Sequence, residues 1–233
     1  DPLDIGAHHV HADAAAGDGG DGLGSGEARC EDQAAALALR HPRALGGVDR
    51  LAQYLRLLEK WNRVHNLTAI REPEQMVTLH VLDSLSILPF LEGARLVVDV
   101  GTGAGLPGIP LAVARPDLCV TLLDSSHKKT AFLEQARVEL KLDNAAVACE
   151  RVERWHPQAR FDAVVSRAFA ELADFVQGAC HLVAPGGAML AMKGVHPFDE
   201  IARLPAGWRV DRVAELSVPT LEAKRHLVLL RAA

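Results

Sequence analysis

The sequence predicts an α/β fold in which a mostly parallel sheet ends in an antiparallel hairpin, with a small helical cap ahead of it. Three observations carry that prediction. After Gly93, short apolar runs alternate with segments of helical period, the pattern of a parallel sheet covered on both faces. The first of these runs leads into Asp99-Val100-Gly101-Thr102-Gly103-Ala104-Gly105-Leu106-Pro107-Gly108, a glycine turn between a strand and a helix N-terminus. The last two runs are separated by only about eight residues, Pro219 among them, too few for a crossover helix, so they must pair antiparallel.

The elements follow in order. Val48, Leu51, Ala52, Leu55, Leu58 and Trp61 recur at helical spacing, which predicts an amphipathic helix over 47–62. A second helix is expected over 73–90, opening at Pro73 between Glu72 and Glu74 and ending around Pro89. Between them, Trp61-Asn62-Arg63-Val64-His65-Asn66-Leu67-Thr68 is polar and too particular for filler. Strands are expected at 96–100, 119–123, 145–149, 161–166, 187–192, 208–217 and 226–231. Helices fall at 107–115, 126–141, 171–183 and 197–203. The chain then divides into a tail (1–44), a helical cap (45–92) and a sheet domain (93–233).

Composition limits the class. With 233 residues and 49% hydrophobic content, the chain can bury one sizeable core. No apolar run approaches ~20 residues without a charge, so no membrane span is expected, and no basic-then-apolar leader is visible. The four cysteines, Cys30, Cys119, Cys149 and Cys180, lie far apart without a CxxC pair, as suits buried thiols in a reducing cytoplasm. The net charge of −5 is a property of the tail: residues 1–32 hold eight acids against Arg29, and the rest of the chain has 24 basic and 22 acidic residues. The Asp/Gly-rich stretch 17–26 cannot bury an apolar face and is expected to be disordered. Its spacing does not fit an EF-hand, and His8, His9 and His11 read as a solvated cluster rather than a metal site.

The glycine turn brings backbone N–H groups against a ligand, with glycine needed for positive φ and close approach. Gly103-Ala104-Gly105-Leu106-Pro107-Gly108 satisfies GxGxxG, and Asp124 follows about 20 residues on, so a nicotinamide dinucleotide is one candidate ligand and an oxidoreductase one candidate function. Asp99, two residues before the first glycine, can fix the loop and face a cationic ligand. Together with Pro185-Gly186-Gly187 before the fifth strand, the terminal hairpin and the lack of a second domain, it favours a class I S-adenosylmethionine-dependent methyltransferase, a Rossmann-like sheet. A cofactor-binding module without catalysis is the third reading.

A narrower resemblance rests on Trp61-Asn62, Asn66-Leu67-Thr68, His80-Val81-Leu82-Asp83-Ser84-Leu85, the glycine loop with Leu106-Pro107-Gly108-Ile109-Pro110, Leu122-Leu123-Asp124-Ser125 and Ser166-Arg167-Ala168-Phe169-Ala170. In unbroken order from about residue 45 to 231, these resemble the glucose-inhibited division protein B family, the bacterial 16S ribosomal RNA guanine-N7 methyltransferases. Ser126-His127-Lys128-Lys129 departs mildly from the family's glycine-lysine-arginine flavour.

The resemblance implies S-adenosylmethionine as cofactor, held by Asp99, Gly101, Gly103, Gly105, Leu106, Asp124, Val152, Glu153 and Arg167. Gly101 and Leu106 belong to the loop for the methionyl and ribose parts, Asp124 to the ribose hydroxyls, and Val152 and Glu153 to adenine. All map beyond the carboxyl ends of the strands, where open α/β sheets bind ligands. Guanine N7 has a lone pair and no proton, so no catalytic base is assigned. Arg167 is expected to position the substrate through guanine O6 or a phosphate, and Phe169 to stack on the base or to sit in the core. Arg63, His65, Arg71, Lys193, Lys224, Arg225 and His226 are the expected basic rim for phosphates. The implied partner is 16S ribosomal RNA or the small ribosomal subunit, with no membrane and no obligate protein partner.

Overall fold

The computed structural model describes residues 46–167, 169 and 171–233. The acidic tail, with Cys30 and the histidine cluster, lies outside the described residues, as do Ala168 and Ala170. Helix α1 (Gly47–His65) runs three residues past its expected end. Arg63 extends it through an i,i+4 pair with Glu59 at 2.7 Å, and Asn66 stops it in the left-handed region at φ 49°, its N–H on Asn62 O.

The second predicted helix is broken. It comprises α2 (Pro73–Met76), a π-helical stretch (Val77–Leu82), α3 (Asp83–Leu85) and a 3-10 turn (Leu88–Leu91). Hydrophobic period cannot distinguish i→i+4 from i→i+5 bonding, and His80, Val81, Asp83 and Ser84 all lie in the interior.

The sheet holds β1 (Leu96–Val100), β2 (Cys119–Asp124), β3 (Ala145–Cys149), β4 (Phe161–Ser166), β5 (Val183–Lys193), β6 (Trp208–Leu216) and β7 (Arg225–Ala232). Helices α4 (Gly108–Ala114), α5 (His127–Glu139), α6 (Leu172–Ala179) and α7 (Phe198–Ala202) connect them. Strand order is β3-β2-β1-β4-β5-β7-β6, with β7 antiparallel to both neighbours and every other pair parallel. The terminal hairpin therefore inserts its second strand into the sheet and leaves its first at the edge. Strand β5 starts four residues before its expected position, because Pro185-Gly186-Gly187 is a bulge inside it. A Cβ at Gly187 would lie 2.9 Å from the carbonyls of Phe161 and Asp162, so only glycine fits there.

Alternation along the strands feeds two cores. Val97, Val120, Leu122, Val165 and Leu190 face α4 and α5, where they meet Ile109, Leu111, Phe132 and Leu133. Val98, Leu123, Val164 and Met189 face α6, where they meet Leu172, Phe175 and Val176. Each such aliphatic side chain contributes about 1.5–3 kcal/mol on burial. Tyr54, Leu57 and Leu58 of α1 belong to the first core, so the N-terminal helix packs onto the sheet domain rather than on itself. Among the described residues, no helix is long and apolar enough to cross a membrane, and no group of three or more His, Cys, Asp or Glu is placed to hold a metal. Cys119 is buried, but Cys149 and Cys180 are only half-buried.

Candidate functional site at the carboxyl edge of the sheet

Strand β1 delivers the chain to Gly101, Gly103 and Gly105, all at positive φ (68°, 61° and 87°). Their surroundings differ. A Cβ at Gly105 would come within 2.4 Å of Ile109 Cδ1, so this glycine lets the loop pack on α4. At Gly103 the nearest atom to such a Cβ is Gly101 O at 3.9 Å, which leaves an open cradle for a ligand. Most of the loop's N–H groups are already used. Gly101 and Thr102 donate to Leu123 O at 2.9 and 3.1 Å, Gly103 donates to Asp124 Oδ2 at 3.0 Å, and Gly105 and Leu106 donate to Thr102 O. The N–H groups of Gly101 and Leu106 are thus engaged within the protein itself. The Leu106 carbonyl, by contrast, lies outside the α4 ladder, because Pro110 has no N–H to reach it.

Asp99 lies beneath the loop, fully buried. Its Oδ2 accepts from Thr102 Oγ1 at 2.5 Å and from Gly108 N at 2.8 Å. Burial pushes its carboxyl up to about 6, against the lowering effect of the Thr102 and Gly108 bonds. It fixes the loop, as expected, but has no face toward a cationic ligand. Gly108 is required at that contact, since a Cβ there would sit 2.2 Å from Leu122 Cδ2 and 2.9 Å from Asp99 Oδ2.

Asp124 ends β2 with 4% exposure. Its Oδ2 takes the Gly103 N–H and Lys129 Nζ (3.3 Å), and its Oδ1 takes the Ser126 N–H at 2.9 Å. A carboxylate has about four acceptor sites, so three donors leave room for a ligand hydroxyl. Beyond β3, Val152 is buried and Glu153 exposed in one turn. That turn packs on α6 at Gly178, where a Cβ would stand 3.6 Å from Val152 Cγ1 and 3.7 Å from Glu153 Oε1.

Ser166 closes β4 against β1, donating to Val100 O at 2.8 Å. The next residue, Arg167, donates through Nη1 to Leu79 O at 3.1 Å and to Asp83 Oδ2 at 3.3 Å. Asp83 is 3% exposed, and its other oxygen stands 3.2 Å from Arg225 Nε as an ion pair without an aligned hydrogen bond. One buried carboxylate therefore holds a guanidinium from the residue after β4 and another from the first residue of β7. Asp83 had no role in the sequence analysis, although His80-Val81-Leu82-Asp83-Ser84-Leu85 was the signal for it. Tyr54 was missed too: its hydroxyl donates to Ala104 O at 2.7 Å and joins α1 to the glycine loop.

Behind Asp83, His80 Nε2 lies 3.0 Å from Thr68 Oγ1, and Thr68 N donates to Asn62 Oδ1 at 2.9 Å. The polar stretch after Trp61 is thus the joint between α1 and the π-helical segment. Burial first, and the Arg167 charge second, hold His80 down to about 4. A neutral folded-state histidine contributes stability that is full above its ordinary 6.5 and is lost as pH falls toward 4. Asp99 works the other way, its contribution being full below 3.8 and lost as pH rises through about 6. The melting temperature of the native protein is therefore expected to drop between pH 6.5 and 4.5 by about 5 °C more than that of His80→Gln, measured by calorimetry. Parallel curves for the two proteins would refute the assignment.

The expected basic rim is only partly a surface. Arg63, Arg71 and Lys224 are exposed, although Arg63 is paired with Glu59, and Arg71 donates to Asn66 Oδ1 at 3.2 Å. His65 packs half-buried on Trp61, with ring centroids 4.9 Å apart. Lys193 is interior, bonded to Glu200 Oε2 at 2.7 Å and to Phe169 O at 3.2 Å, and His226 is 7% exposed. Neither of these two reaches a phosphate track. Phe169 is half-buried, 5.2 Å from the Phe175 ring.

The family model GidB, described as rRNA small subunit methyltransferase G, matches residues 48–228. A Nitrosospira multiformis protein named ribosomal RNA small subunit methyltransferase G is 56% identical over 191 residues, covering 79% of this chain and 88% of its own. The protein of that name from Aromatoleum aromaticum is 58% identical over 185 residues, with 78% and 88% covered. Among solved structures, the O-methyltransferase TomG from Streptomyces achromogenes, in complex with SAM, aligns with TM-score 0.52 at 15% identity, covering 89% of this chain and 98% of its own. The glycopeptide N-methyltransferase MtfA, also complexed with S-adenosyl-L-methionine, gives 0.54 at 13%, with 66% and 95% covered. These structures establish the fold as the class I methyltransferase sheet. The antiparallel β7 also separates it from the doubly wound 3-2-1-4-5-6 order of dinucleotide enzymes, although GxGxxG and Asp124 alone would fit both. On the family match and the identity of its relatives, the chain belongs to the ribosomal RNA small subunit methyltransferase G family.

Proposed function

We propose that the chain transfers the methyl group of S-adenosylmethionine to N7 of a guanine in the decoding-region loop of 16S ribosomal RNA, in the cytoplasm and without an obligate protein partner. The observation that carries this reading is the convergence of two parts on one sheet edge. One is the glycine cradle braced by Asp99 and Asp124; the other is Arg167, held in place by Asp83.

The residues fit the cofactor. The open side of Gly103 admits it, the remaining acceptor site of Asp124 suits a ribose hydroxyl, and the Val152–Glu153 turn offers an apolar wall beside a carboxylate for adenine. The sulfonium donor supplies an electrophilic methyl group. The N7 lone pair forms the new C–N bond as the S–C bond breaks, so positive charge passes from sulfur to the base and no proton moves. Catalysis then rests on holding N7 in line and on the local field. Asp99 is sealed under the loop and Asp83 is engaged by two arginines, which accords with chemistry that needs no base. Arg167 is suited to guanine O6 or a flanking phosphate. A donor on N7 itself would block transfer.

The test is incubation with labelled cofactor and either free 16S RNA or small subunits, followed by mass mapping. One N7-methylated guanine is expected, and the better of the two substrates identifies the natural form. No transfer to either, or a methyl on another atom, would overturn the reading. Asp124→Ala is expected to weaken cofactor binding about ten- to a hundredfold by calorimetry, through lost bonds to a charged acceptor and a freed Gly103. Unchanged affinity would remove Asp124 from the ribose site.

A further inference from the structure

We propose that Phe198 is the platform on which an unstacked base of the RNA substrate lies, next to the nucleotide that enters the site. This rests on the RNA reading above and adds a contact that the sequence pattern did not mark. Phe198 is 72% exposed and is the one aromatic residue among the large exposed hydrophobics of the described residues; Val195, 76% exposed, shares its turn. One face of the ring is covered by His196, with centroids 3.8 Å apart and planes 26° from parallel. The covered face orients the ring, and most of its remaining surface is left to solvent.

The platform is preorganised. Glu200 on the same short helix accepts Lys193 Nζ at 2.7 Å and Leu172 N at 2.8 Å, which pins α7 to β5 and α6. Phe198 N donates to His196 O at 3.1 Å and Ile201 N to Pro197 O at 3.0 Å, so the turn between is closed by its own backbone. A ring held in this way loses little freedom when a base stacks on it.

Position ties the ring to the site. The register pair Lys193↔His226 sets the turn after β5 beside the start of β7. His196 stands edge-on to the buried His226, with centroids 5.5 Å apart. The residue before His226 is Arg225, which shares Asp83 with Arg167. A chain of contacts thus runs from Phe198 through His196 to the buried His226, next in sequence to Arg225, which shares the buried Asp83 with Arg167, and Lys224 is exposed beside it. Arg225 and Lys224 suit phosphates. Asp199, exposed next to Phe198, disfavours a phosphate there and leaves the ring to a base. Such stacking is tolerant of sequence because every base has a π face.

Phe198→Ala and Phe198→Trp test this in the full chain. The alanine variant is expected to raise KM for the RNA substrate about tenfold while kcat, cofactor affinity and melting temperature stay unchanged, and the tryptophan variant is expected to restore KM. The same tenfold loss is expected in the affinity for a single-stranded oligonucleotide, read without methylation. If native protein methylates RNA and Phe198→Ala matches it in both readouts, or Phe198→Trp is as defective as alanine, the platform is overturned alone. Native protein that methylates no RNA overturns the function above instead. Retained RNA affinity with loss of a protein partner on Phe198→Ala also refutes the platform.

Discussion

Arg167→Ala is expected to lower the rate of methyl transfer by about two to three orders of magnitude, the usual consequence of removing one preorganised donor from a positioning-dominated site. The same change is expected to move the melting temperature by only about 4 °C. The contrast follows from the surroundings. The Arg167 side chain is 28% exposed, and its partner Asp83 keeps the Arg225 ion pair at 3.2 Å when Arg167 is gone, so no buried charge is stranded. Arg167→Lys keeps a charge for Leu79 O and Asp83, which Nη1 alone reaches in the native protein, but it lacks the further planar N–H donors of the guanidinium, so it is expected to recover only part of the rate. Single-turnover rates with saturating cofactor check this. A fully active Arg167→Ala would remove the residue from substrate positioning.

The sheet was legible in the sequence because parallel strands covered on both faces read as plain apolar runs. β1 and β3 match their expected ranges, and the short link around Pro219 announced the antiparallel pair. The cap was less legible. Apolar spacing over 73–90 marks a buried helical face but carries no record of which carbonyl each N–H reaches, so the π-helical stretch at Val77–Leu82 was invisible. In the site, Asp99 and Asp124 could be singled out by their distance from the glycines, but not the direction of their carboxylates, which depends on Thr102, Gly108 and Ser126 as donors. Lys193 and His226 show the limit most plainly. Each is polar at a strand end, and only the packing of α7 and β7 decides that His226 is buried and that the Lys193 amine is taken up by Glu200. Phe169 and Phe198 are indistinguishable as letters; one faces Phe175 and the other faces water.

Asp83→Ala is expected to be the variant that damages fold and activity together. Removing one partner of a buried ion pair costs about 3–5 kcal/mol, and because the two arginines keep 28% and 24% exposure, water screens part of that, leaving about 2 kcal/mol. That loss is readable as a lower midpoint in urea with an unchanged slope. Activity is expected to fall about as far as in Arg167→Ala even at temperatures where the variant is fully folded, because the single bond to the Leu79 carbonyl does not fix the Arg167 guanidinium. Asp83→Asn keeps the shape and one acceptor oxygen, so it is expected to recover more stability than rate, since a neutral amide does not fix two cations. The coupling is testable by a double-mutant cycle with Arg225→Gln, where the two changes are expected to be non-additive by about 1 kcal/mol. Additive losses, or an Asp83→Ala protein with native rate once folded, would show that the carboxylate merely fills space. Non-additivity together with a lost rate would instead make Asp83 the residue through which the π-helical segment sets the geometry at the ends of β4 and β7.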